Sequence, residues 1–150
     1  DLISEDIVFH LDFITHCKSI RTIQNTFYNY CLNEGSLTTK YKEGRFDAIV
    51  KIYTYIRQYV REHDNKQMKE NIGKRLDAFF FDKVNSTLSY ESNCNKSNPL
   101  NTIKLICNNM EVRELLKRID SSNLDKKKQI ICALMRYNLY FFIYWIFKLK

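Results

Sequence analysis

Tyr137-Asn138-Leu139-Tyr140-Phe141-Phe142-Ile143-Tyr144-Trp145-Ile146-Phe147 is the stretch on which the fold turns. Nearly every residue in it is apolar or aromatic, so a helix through it has no polar face. Lys126-Lys127-Lys128 precede it and Lys148-Leu149-Lys150 follow it. A helix that is apolar all round is either the core helix of a bundle or a membrane segment. The 19 residues from Gln129 to Phe147, with lysines at both ends, have the form of a tail anchor. Arg136 and Asn138 stand near the middle of that run, however, and a central Arg costs roughly 3 kcal/mol in a bilayer. The segment is therefore expected to be the central core helix. Membrane association through residues 129–147 and a partner-binding face are the alternatives. Its β-branched and aromatic residues would also suit a buried strand.

Upstream, apolar residues recur at spacings of three and four, the signature of one helix face. Ser4 is a candidate cap for a helix carrying Ile7, Leu11, Ile14, Cys17, Ile20, Ile23, Phe27 and Tyr30, with Gly35 as its stop. Polar residues around His16 are a candidate break in it. Residues 34–45 read as a loop bracketed by Gly35 and Gly44. A second helix carries Phe46, Ile49, Val50, Tyr53, Ile56, Tyr59 and Val60, and a third carries Met68, Ile72, Leu76, Phe79, Phe80 and Val84. Gly73 lies inside the third, where it costs roughly 1 kcal/mol relative to Ala and is expected to mark a close backbone approach. Residues 89–99 read as a loop. Pro99 then opens a segment carrying Leu100, Ile103, Ile106, Val112, Leu115, Leu116 and Ile119, which Asn108-Asn109 divides. Asp120-Ser121-Ser122-Asn123 is a turn, and Asp125 starts the last helix.

These elements sit in a chain of 150 residues that is 45% hydrophobic, with 3 Gly and 1 Pro. Such apolar content excludes a disordered chain, and so little Gly and Pro argues against a many-stranded sandwich or barrel. The expected fold class is all-α: one domain over residues 1–150, with five to seven helices around the apolar carboxy-terminal one.

The net charge of +7 is uneven. Residues 1–50 hold 5 Lys/Arg against 7 Asp/Glu, whereas residues 101–150 hold 10 against 4. Lys117, Arg118, Lys126, Lys127 and Lys128 form a candidate basic patch for phosphates. No nucleic-acid-binding module is readable around them. Among the five cysteines there is no C-x-x-C pair. Cys94 and Cys107, separated by a loop-like stretch, are the candidate disulfide; five free thiols in a reducing compartment are the alternative. Asn85 and Asn95 head two glycosylation sequons.

Chemistry is sparse. Gly35, Gly44 and Gly73 are isolated, so no phosphate-cradling loop is formed. His10 and His16 lie six residues apart and miss the spacing of a helical zinc site. No thiol–histidine pair is favoured by position. No catalytic residue, cofactor or metal is expected.

Tyrosine is abundant. Tyr53, Tyr55 and Tyr59 cannot all face one core, and an exposed aromatic patch marks a partner surface. Tyr53, Tyr55, Tyr59, Gly73 and Phe81 are the candidate partner-binding residues. Two short stretches resemble known families. Asn71-Ile72-Gly73-Lys74 with Phe79-Phe80-Phe81 loosely resembles the Asn-Trp-Gly-Arg…Phe-Phe element of apoptosis regulators, short poxviral members included, with Ile72 in place of the Trp. Leu76 to Val84 with nearby cysteines resembles a piece of malarial variant surface proteins. Neither carries a family assignment or a residue role.

The abundance of Asn, Lys, Ile, Tyr and Phe points to an AT-rich viral or parasite genome. The expected function is thus non-enzymatic protein binding, with a host protein as partner and the host cytoplasm favoured over secretion. Two alternatives stand beside it: a secreted or surface helical glycoprotein of cytokine-like or antigenic type, and a basic nucleic-acid-binding domain.

Overall fold

The structure, a computed structural model, describes residues 44–63 and 66–149 together with scattered positions between Phe9 and Gln24. The helix expected from Ser4 and the loop over 34–45 lie largely outside the described residues, as do the side chains of 63–71. The described residues form an all-α bundle: α1 (Arg45–His63), α2 (Lys66–Cys94), α3 (Pro99–Asn108), α4 (Met110–Arg118), a 3-10 turn (Ser121–Asn123), α5 (Lys126–Arg136) and α6 (Tyr140–Lys148). They include no strand.

Side-chain caps start α3, α4 and α5. Asn98 accepts a hydrogen bond from the Asn101 amide and Pro99 occupies the first turn of α3. Asn109 accepts from the Glu111 amide to start α4, separating it from α3 at the expected Asn108-Asn109 boundary. Asp125 accepts from the Lys128 amide at 2.9 Å to start α5, which holds its carboxyl below the usual range.

The long helix α2 packs against α1, α3, α4 and α6. It runs five residues past the expected start of a loop at Ser89, to Cys94. Its polar end stays helical because side chains bond back one turn. Thr87 donates to the Lys83 carbonyl, Ser92 to that of Leu88 and Asn93 to that of Ser89. The core follows the predicted spacing in α3 and α4, whereas in α2 Phe81 is buried in place of Phe79, the residue expected on the core face. Ile52, Tyr53 and Ile56 come from α1, and Leu76, Phe80, Phe81, Val84 and Leu88 from α2. Ile103, Ile106, Val112, Leu115 and Leu116 complete its middle.

The carboxy-terminal run is buried on one side, through Ile131, Cys132, Met135, Ile143 and Phe147, but it is two helices rather than one. Asn138, at φ 61°, turns the chain between α5 and α6. Arg113 from α4 secures that turn. It donates to the Met135 carbonyl, to Asn108 Oδ1 and to Asn138 Oδ1, which also accepts from the Tyr140 hydroxyl. Arg136, the charge that argued against a membrane span, donates instead to the carbonyls of Leu116 and Ile119 at the end of α4. Its cation thus sits at the negative end of a helix dipole. No described helix is long and apolar enough to cross a membrane.

Candidate functional site

The candidate residues of α1 and α2 fall on both sides of the protein surface. Tyr53 and Phe81 are 1% and 0% exposed, so they belong to the core and not to a contact surface. Tyr53 lies one position before the outward Thr54-Tyr55 pair of α1, and its ring stacks on Phe80 at 3.9 Å. Tyr55 is exposed and Tyr59 half-buried, with their rings stacked 6.5 Å apart. Gly73 does not mark a close approach: a methyl group added there would meet no heavy atom within 4 Å.

Between α1 and α2 a solvent-open cleft of about 300 Å³ is lined by Ile56, Ile72, Leu76 and Phe79, with Arg75 on its edge. Ile56 and Leu76 are its floor, both nearly buried, and Phe79 is its half-exposed wall. The cleft arises because Phe79-Phe80-Phe81 cannot all point inward from one helix. Phe80 and Phe81 enter the core, which leaves Phe79 on the rim. An apolar cleft of this kind can hold the apolar side chains of a partner segment.

Tyr53 is instead brought to Arg118, a residue expected in the basic patch. The Tyr53 hydroxyl donates to Asp77 Oδ1 at 2.7 Å and accepts from Arg118 Nη2 at 2.8 Å. Arg118 also donates to both Asp77 oxygens, at 3.1 and 3.2 Å. Arg57 stands over the Tyr53 ring and reaches Glu111 at 3.5 Å. Burial first, then the Asp77 carboxylate beside it, push the Tyr53 phenol up to about 12. These groups tie α1, α2 and α4 together. The remaining basic residues do not form one patch either. Lys117 pairs with Glu114 at 2.7 Å, Lys128 pairs with Asp82 at 2.8 Å, and Lys127 lies over the Phe147 ring.

Cys94 and Cys107 are both free thiols, which corrects the expected bridge. Cys94 is exposed at the end of α2, whereas Cys107 is fully buried on the core face of α3, where burial pushes its thiol up to about 12. Of the two sequon asparagines, only Asn95 lies on a loop, the one between α2 and α3. Asn85 is half-buried within α2. The Asn95 amide nitrogen donates to Glu91 and Thr102, and a glycan on that nitrogen, which leaves it a single hydrogen, would remove at least one of these bonds. Among the described residues no group of His, Cys, Asp and Glu could hold a metal ion.

A second apolar surface was not separated from the core in the sequence. On α6, Ile143 and Phe147 face inward, while Phe141, Phe142, Trp145 and Leu149 stay exposed on the opposite side. The spacing of 141, 145 and 149 carried that signal, but a helix with two apolar stripes does not reveal which one is covered.

These surfaces define an all-α bundle with an apolar interhelical cleft and an outward aromatic ridge. No family model, curated protein or solved structure matches the chain.

Proposed function

We propose that this chain is a non-enzymatic helical domain that binds a protein partner in the cleft between α1 and α2. The cleft lined by Ile56, Ile72, Leu76 and Phe79 carries this reading, because a preformed apolar groove between two helices is the usual seat for the apolar face of an amphipathic segment. The composition, rich in Asn, Lys and Ile, fits a viral or parasite protein whose partner is a host protein. The nucleic-acid alternative has less support, because Lys117, Arg118 and Lys128 are each already paired with a carboxylate. So has the disulfide-linked glycoprotein, because Cys94 and Cys107 are free.

A photo-crosslinking residue at Phe79, introduced in the native cell, tests the reading. One discrete protein adduct is expected, and it should disappear when Ile72→Glu is added. An adduct that survives that change, or none at all, would count against the cleft.

A further inference from the structure

We propose that the exposed face of α6 docks the protein onto an anionic lipid surface, lying in the headgroup region without spanning the bilayer. Phe141, Phe142, Trp145 and Leu149 are 56%, 56%, 41% and 77% exposed, and they lie opposite the inward residues Ile143 and Phe147. Lys148 is exposed too, with its ammonium 3.5 Å from the Ser92 carbonyl of α2. A ridge of Trp, Phe and Leu edged by lysine is the composition of interfacial helices, whose rings sit at headgroup depth while cations meet lipid phosphate.

Charge selects the occupant. Residues 95–110 and 126–150, which include all of α3, α5 and α6, contain no Asp or Glu. Lys104, Lys126 and Lys127 on α3 and α5 are exposed, and Lys127 lies 5.1 Å from the Phe147 ring centroid, which places it beside α6. A second copy of this chain would bring two such cationic faces together, whereas an anionic surface complements them. Depth follows from length. With 9 residues, α6 is about 14 Å long, under half of a hydrocarbon core of roughly 30 Å. Its inner face is also held in the bundle by Ile143 and Phe147. The helix therefore enters the interface sideways, to the depth of its outer aromatics.

The chain's single tryptophan, Trp145, lies in this face and reports on it directly. The full chain would be mixed with phosphatidylcholine vesicles, with and without roughly one-third phosphatidylserine. With phosphatidylserine, a blue shift of Trp145 emission and co-flotation are expected. Raising the ionic strength to about 1 M, where screening acts within ~3 Å, should weaken both. Phe141→Ser/Phe142→Ser should lower partitioning by at least about tenfold, because two aromatic side chains no longer leave water. The exposed position Leu149→Ser should lower it by a smaller factor even if the double variant folds poorly. Absence of a shift, or equal binding by the variants, would overturn the proposal. So would a blue shift that grows with protein concentration in the absence of lipid, which would assign the face to self-association. A shift produced only by an acidic polypeptide would assign it to a protein. None of these outcomes bears on the α1–α2 cleft, which the crosslink at Phe79 tests separately.

Discussion

Asn138 holds its left-handed conformation because its side chain is tied as well as its backbone. A residue with a Cβ costs roughly 1–2 kcal/mol there, and hydrogen bonds from Arg113 and Tyr140 offset that cost. Asn138→Ala should lose about 2 kcal/mol or more in chemical denaturation. Asn138→Gly, which keeps the backbone free to turn, should lose less. Equal losses would show that the side-chain bonds alone matter. Phe81 and Tyr55 make a second contrast. Phe81→Ala should cost about 3–5 kcal/mol, as truncations of buried Phe do, whereas exposed Tyr55→Ala should stay within about 1 kcal/mol. Thermal melts of the two variants would separate them. From sequence Phe79 and Phe80 are expected on the core stripe and Phe81 on the contact surface, whereas Phe80 and Phe81 are buried and Phe79 is the one left outside. The rotation of α2 decides that, and its neighbours set the rotation.

At the scale of elements, the local signals were legible. Asn98-Pro99, Asn109 and Asp125 start helices where capping chemistry places them, and Ile103, Ile106, Val112, Leu115 and Leu116 are all buried. Two boundaries were not legible, for opposite reasons. The end of α2 reads as loop because Ser, Asn and Thr compete with helix in isolation, yet here they bond to carbonyls of their own helix. The break between α5 and α6 reads as continuous helix because Arg113, which fixes it, is 25 residues away from Asn138. Of the candidate site, Ile72, Leu76 and Phe79 were visible as one helical stripe, but only the pairing with α1 makes them a cleft. Gly73 within α2 has open space around it, so Gly73→Ala should stabilise the helix by about 0.5–1 kcal/mol and raise the melting temperature by roughly 2–4 °C. A drop would mean that the glycine serves a contact outside the described residues.

At the scale of the whole molecule, burial of weak acids sets an alkaline limit. Cys107 and Tyr53 both rise to about 12, from 9.0 and 10.0. The native state therefore keeps protons that the unfolded chain gives up. Each group's contribution is complete below its unfolded value and is lost as pH climbs towards 12, with a slope of up to about 1.4 kcal/mol per pH unit. Stability should be unaffected by these two groups at neutral pH, begin to fall near pH 9, and fall more steeply above pH 10. In Cys107→Ala the first part of that decline should shrink, leaving the share of Cys132, whose thiol burial also raises. The Tyr53–Asp77–Arg118 tie has a consequence for how the native state opens. α1 rests chiefly on α2, and polar groups link it to α4. Such an element is the natural unit of sub-global opening, so its amides should exchange with solvent together and before those of α2. Because α1 is also one wall of the cleft, anything seated there must slow that exchange, and the pace of deuterium uptake in α1 becomes a measure of occupancy.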